Sequence, residues 1–342
     1  MLGHIMDNKS WLSEIKKTEG LNDCELPGEI EFGGTQEEAI LTLKGKSVAG
    51  NMQSDAAAFE AWSMALLVHG GATRVRVELE DGLARDPDKH TQRFLYRLGR
   101  FHELFPVDVN SYAQSAGAFV GTPLLNQPGD SRRSDDEGDR LGTISKDSLT
   151  GWEENLEKAL EVSPNLKKAF TRESQGGFRI MRQWPVGLFE SRVSDNTRVF
   201  PGRRSAIDLM GIDGSTLLLF ELKKDGNCKA GAVSEIFFYA NVMRDALLGR
   251  FAFEDEHSPA SLAPITAKDV MLCTDIRAII LAPRLHPLIY NDKGAGGPTI
   301  IGALNEASHR TWGDKPIHFE AWKLGVDESS VPMDFTFACV VG

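Results

Sequence analysis

The sequence predicts an α/β protein: a central mixed β-sheet flanked by helices, preceded by a smaller α/β domain. Three observations carry the prediction. Apolar residues recur at helical spacing in some segments and alternate in others, so both periods occur in one chain. A polar stretch, Gln127 to Ser148, separates two regions of different character. The run Leu217 to Leu222 places apolar side chains on both faces of one strand, as in a sheet covered on two sides.

Composition narrows the class further. With 41% hydrophobic and 25% charged residues among 342, the chain has enough apolar side chains for a sizeable core, which excludes disordered, collagenous and disulfide-scaffold classes. Forty-nine acidic residues against 38 basic ones give a net charge of -11, so bulk positive charge does not coat nucleic acid here. Cys24, Cys228, Cys273 and Cys339 lack the paired short spacings of a zinc ribbon. The amino terminus has no apolar signal core, and no apolar run reaches the roughly 20 residues of a membrane span. A soluble, cytoplasmic protein with no membrane partner is expected.

Residues 1–126 form the expected smaller α/β domain. Ser54 is placed to cap a helix carrying Phe59, Trp62 and Leu66, with Gly70 and Gly71 closing it. Val75, Val77 and Leu79 alternate as in a strand, Phe94, Leu98 and Phe101 share a helix face, and residues 106–109 read as extended. Residues 127–148 form an exposed linker, since Leu141 and Ile144 alone cannot offset its ordering entropy.

Residues 149–342 form the larger domain. Thr150 and Glu153 have capping-box spacing ahead of Trp152, Leu156 and Leu160, and Ser163-Pro164 opens a second helix. Strand patterns begin at Phe178. Residues 231–248 make a helix with a broad apolar face, residues 276–282 a buried strand, and residues 300–308 another helix. Residues 317–324 and 335–341 complete the pattern as further strands.

The chemistry concentrates between Arg204 and Lys224, RSAIDLMGIDGSTLLLFELKK, two apolar runs joined at Asp213-Gly214 as a β-hairpin. With that two-residue loop Asp208 faces Leu219 and lies diagonal to Glu221, about 7–8 Å away; a shift by two residues makes the two acids direct neighbours. Either register sends Asp208, Glu221 and Lys223 to one face, and a one-residue slip separates them. Two such carboxylates suit a shared hard cation, Mg2+ or Mn2+, and an adjacent ammonium suits a developing phosphate charge. Asp208 is the telling member, because a lone carboxylate in an apolar strand is costly without a cation or donors. Glu235 and Tyr239, four apart on the following helix, share a flank near the site.

The aspartate of AIDLMGI, the Glu-x-Lys of FELKK and the aromatic helix SEIFFYA resemble the PD-(D/E)XK, or restriction-endonuclease-like, nuclease superfamily. The resemblance implies that Asp208 and Glu221 bind the metal and that Lys223 assists attack by water. It implies a mixed sheet flanked by helices, a glutamine often standing where this chain has Glu235, and an upstream acid, for which Glu173 and Glu190 are the candidates. The expected function is therefore a Mg2+- or Mn2+-dependent nuclease acting on nucleic acid, DNA or RNA, with Arg203, Arg204, Lys224 and Lys229 near the site for phosphate contacts. The competing reading is a nuclease-fold binding or scaffold protein in which the trio is a structural ion pair. A carboxylate-pair glycosidase fits less well, because the lysine suits phosphate better than a glycosidic acid. Target recognition, protein partnership and homodimerisation all remain open roles for the amino-terminal domain.

Overall fold

The computed structural model describes residues 4–49, 52, 54–80, 88–109, 119, 121–128, 152–172, 177–200, 205–224, 229–253, 263–291, 293, 297–327 and 334–342. Most of the expected linker, Arg203, Arg204, Glu173 and the Thr150 capping position lie outside them.

Helix α1 (Asn8–Ile15) is capped by the Asp7 carboxylate, which accepts from the Ser10 N–H at 2.8 Å. It precedes the antiparallel pair β1 (Ile30–Gly34) and β2 (Glu38–Leu43). Then come α2 (Gly45–Ala49), α3 (Phe59–Val68), β3 (Arg74–Leu79), α4 (Lys89–Leu104) and β4 (Val107–Val109). These strands form a four-stranded sheet in the order β1-β2-β3-β4, with β2, β3 and β4 mutually parallel. Ser54 does not cap α3, as its spacing predicts. It precedes a short 3-10 turn at Asp55–Ala57, and Ala58 is the residue before the helix. The extra turn is held by the Trp62 indole N–H, which donates to the Asp55 carbonyl at 2.9 Å.

Beyond β5 (Leu124–Leu125), helices α5 (Trp152–Glu161) and α6 (Pro164–Phe170) lead into β6 (Arg179–Pro185), β7 (Leu188–Phe189), β8 (Ala206–Asp213) and β9 (Thr216–Leu222). Helix α7 (Gly231–Leu247), β10 (Ala252–Phe253), α8 (Ala267–Met271), β11 (Asp275–Ala282), α9 (Ile300–Trp312), β12 (Ile317–Asp327) and β13 (Asp334–Val341) complete the chain. The large sheet is mixed, in the order β13-β12-β11-β9-β8-β6. β6, β8 and β9 are antiparallel in turn, β9, β11 and β12 are parallel, and β13 returns antiparallel. The parallel crossovers need covering helices, which α7 and α9 supply on one face. The other face is covered by α5 and α6, whose Leu156, Leu160, Leu166 and Phe170 meet Leu218, Phe220 and Leu222.

The hairpin turn differs from the expected one. Asp213 pairs with Thr216, so the loop residues are Gly214 and Ser215, and the register moves by two. Gly214 takes φ +59°, the left-handed conformation a tight turn demands. The Asp213 carboxylate accepts from the Arg172 N–H at 2.6 Å, which holds that residue in the strand.

The amino-terminal region keeps its own sheet, yet its apolar side chains do not form a separate core. Phe59, Trp62, Phe94 and Phe101 belong to one buried cluster with Phe237, Phe238, Ile280 and Phe319. A small sheet, β10-β5-β7, also joins strands from before and after the polar stretch. Among the described residues, no helix is long and apolar enough to cross a membrane.

Candidate functional site

Continuing the β8–β9 register one pair beyond Leu209 and Phe220 sets Asp208 directly across from Glu221. Directly opposed residues lie about 4.5–5.5 Å apart at Cβ, closer than the diagonal spacing expected from the sequence. The strands do not continue their ladder there. Instead the Asp208 carboxylate accepts the Leu222 N–H at 2.8 Å, and the Lys223 N–H donates to Leu281 of β11 at 3.0 Å. Asp208, Glu221 and Lys223 thus stand where β8 and β9 part, with Lys223 tied to β11.

The structure brings Glu235 into the same group. The Lys223 ammonium donates to Glu221 Oε1 at 2.5 Å and to Glu235 Oε2 at 2.9 Å. All three side chains are buried, at 1%, 3% and 4% exposure for Glu221, Lys223 and Glu235. The two glutamate carboxyls act on each other electrostatically. Tyr239, one turn on from Glu235, is buried beside them, with the Ser205 side chain hydrogen-bonded to its phenol.

Glu157, a residue that sequence reasoning missed, stands beside Asp208. Glu157 of α5 is 6% exposed and acts electrostatically on Asp208. Its carboxylate accepts from Gln183 Nε2 at 2.8 Å. Gln183 lies in β6 beside Asp208, out of the β6–β8 ladder, which runs from Arg182–Leu209 to Trp184–Ile207. Its backbone takes φ +54°, the one non-glycine positive φ among the described residues. Such a conformation costs about 1–2 kcal/mol in an L-residue. Glu190, by contrast, is exposed beyond β7, its N–H donating to the Thr197 carbonyl. Lys224 and Lys229 are exposed.

Electrostatics at the site are dominated by excess negative charge. The Lys223 ammonium lies between Glu221 and Glu235, while Asp208 acts on Glu221 and Glu157 acts on Asp208, so four carboxyls share one neighbourhood with that ammonium. Burial, and then Glu157, push the Asp208 carboxyl up to about 8, against the Leu222 N–H and Lys223, which lower it. Burial, then Asp208 and Glu235, hold Glu221 well above the usual carboxylate range. Burial alone would lower the Lys223 ammonium, but Glu221 and Glu235 outweigh it and raise the group. The Tyr239 phenol is raised by burial and by the same carboxyls.

The donor set is all oxygen and over-negative, which is the chemistry a hard divalent cation requires. Asp208 and Glu221, opposed across β8 and β9, are the residues that could hold one. In the arrangement described, however, the carboxylates converge on the Lys223 ammonium. Among the described residues no three His, Cys, Asp or Glu side chains gather around a common point suited to a metal ion. Comparison of the chain with protein-family models, with curated proteins and with solved structures finds no match.

Proposed function

We propose that the protein is a metal-dependent nuclease of the PD-(D/E)XK, restriction-endonuclease-like kind, hydrolysing phosphodiester bonds in DNA, with RNA as the alternative substrate. The observation that carries this reading is the buried acid excess at the parting of β8 and β9. The carboxyls of Glu157, Asp208, Glu221 and Glu235 outnumber the two cations near them, Lys223 and the Arg93 guanidinium that acts on Glu235, so protons or a further cation must balance the rest. Asp208 and Glu221 would hold the ion, Mg2+ or Mn2+, whose chemistry at that place would be activation of water and neutralisation of charge on the phosphate.

The remaining roles belong to this chain's own side chains. Lys223, released from part of its carboxylate pairing, donates to the attacking water or to the phosphate oxygen. Glu235 keeps the ammonium on the substrate side of the sheet, 2.9 Å from its own oxygen. Gln183 anchors Glu157 against Asp208. Tyr239 is packed beside the carboxyls and limits their access to water.

A second reading has its own observation. The ammonium between Glu221 and Glu235 already supplies a cation where a metal would act. On that reading the protein is a nuclease-fold scaffold, and the trio is a structural network. Calorimetric titration with Mn2+ and cleavage of labelled DNA and RNA separate the two. The nuclease reading expects Mn2+ binding that Asp208→Asn abolishes, and cleavage falling about 100-fold or more in Asp208→Ala, Glu221→Ala and Lys223→Ala. No heat of binding and no cleavage of either nucleic acid would overturn it.

A further inference from the structure

Helix α7 brings no cap of its own. Ala230, the residue before it, has no side chain that can accept a hydrogen bond, and its first turn holds no acidic residue. The N–H groups at a helix start lack intrahelical partners, and an anionic oxygen is favoured there. Here the oxygen comes from the amino-terminal region, since the Asp55 carboxylate accepts the Ala230 N–H at 2.9 Å. One turn on, the Ser234 hydroxyl donates to Glu60 Oε2 at 2.6 Å. Both anchors belong to one short segment, Asp55 to Glu60, which spans the 3-10 turn and the start of α3. That segment is itself fixed. The Trp62 indole N–H donates to the Asp55 carbonyl at 2.9 Å, and Arg97 donates to the Ala57 carbonyl and to the Glu60 carboxylate. Glu60, Arg97 and Ser234 are all buried.

Glu235 follows Ser234 directly, and its carboxylate accepts from the Lys223 ammonium at 2.9 Å. The first turn of α7 is therefore the link between the amino-terminal region and Lys223. A shift of that turn moves Glu235 and the ammonium with it, and a misplacement of about 1 Å in a reacting group can cost on the order of 100-fold in rate. We propose that Asp55 and Glu60 are positioning residues of the site: they clamp the first turn of α7, so that Glu235 holds Lys223 in one place. The amino-terminal region then serves turnover itself. This inference rests on the nuclease reading above and gives a task to the part of the chain before the polar stretch.

The test uses the full chain, with cleavage of labelled oligonucleotides in Mn2+ and amide hydrogen exchange measured on the same proteins. Asp55→Ala removes the acceptor, whereas Asp55→Asn keeps an oxygen for the same N–H, because asparagine caps about as well as aspartate. Asp55→Ala is expected to lower kcat about 10-fold with KM little changed, and to speed exchange from Ala230 to Glu235. Asp55→Asn is expected to restore both. A merely structural Asp55 lowers the melting temperature and leaves kcat of the folded protein at its wild-type value, and that result overturns the inference. Loss of as much kcat in Asp55→Asn as in Asp55→Ala does the same. Should Asp55→Ala fail to fold, Ser234→Ala takes its place; it is expected to lower kcat severalfold, and a wild-type kcat overturns the clamp. If the wild-type protein cuts neither DNA nor RNA, the nuclease reading falls and the positioning role falls with it, whereas the kcat outcomes in a protein that cuts overturn the positioning role alone.

Discussion

Asp208 holds its proton in the folded protein at pH values where the unfolded chain has released it. Its ordinary value is 3.8 and its folded value about 8, so folding takes up a proton between them. The native state then binds more protons than the unfolded state, and stability falls as pH rises through that window. Without divalent metal, the melting temperature is expected to drop between about pH 5 and pH 8, and Asp208→Asn to flatten the decline. A wild-type melting temperature that does not change with pH contradicts the acid-excess description. Gln183 makes a second residue-scale prediction. Gln183→Ala loses the bond to Glu157 and keeps the left-handed strain, whereas Gln183→Gly relieves the strain, so urea denaturation should find the glycine variant more stable by about 1 kcal/mol. The trio was legible because strand alternation needs only the parity of the turn, and moving the loop from Asp213-Gly214 to Gly214-Ser215 shifts the register by two. Glu157 was not legible. Glu153, Glu154, Glu157 and Glu161 all lie on α5, and only the docking of that helix decides which one stands beside Asp208.

Among the elements, α3, α4 and α7 are tied by a buried polar junction. Arg97 donates to both Glu60 oxygens, at 2.7 and 2.5 Å, and to the Ala57 carbonyl at 2.9 Å, while Ser234 closes the other side. Removing one partner leaves an uncompensated buried charge, so Arg97→Ala is expected to cost about 3–5 kcal/mol in chemical denaturation. Changing both residues together, Glu60→Met with Arg97→Met, should cost less than the sum of the single changes. Elements with a clear period were readable from sequence: β3, α4, α7 and β11 lie where apolar spacing puts them. The Ser54 cap was misplaced because a serine before an apolar helix looks the same whether the chain enters directly or through a 3-10 turn. The junction itself has no local signal, since Glu60, Arg97 and Ser234 come together only in three dimensions.

For the whole molecule, the polar stretch marks a change of composition without marking a boundary in the core. Aromatic residues from both sides of it share one buried cluster, and β5 pairs with β7 and β10. Residues 149–342 expressed alone would expose the α7 surface that α3 and α4 cover. They are expected to be aggregation-prone, and co-expressed with residues 1–128 they should co-purify as a complex. A fragment 149–342 that is monomeric and melts cooperatively by itself would show that the shared cluster is dispensable.

This sharing also has a consequence in time. During synthesis the aromatic face of α4 leaves the ribosome well before α7 exists to cover it, and at 5–20 residues per second the interval is on the order of ten seconds. Throughout that wait a nascent chain carries Tyr96 without Phe238 and Phe101 without Phe237. Slow translation across the middle of the message should therefore lower the yield of native protein, and a chaperone that holds extended apolar helices should restore it.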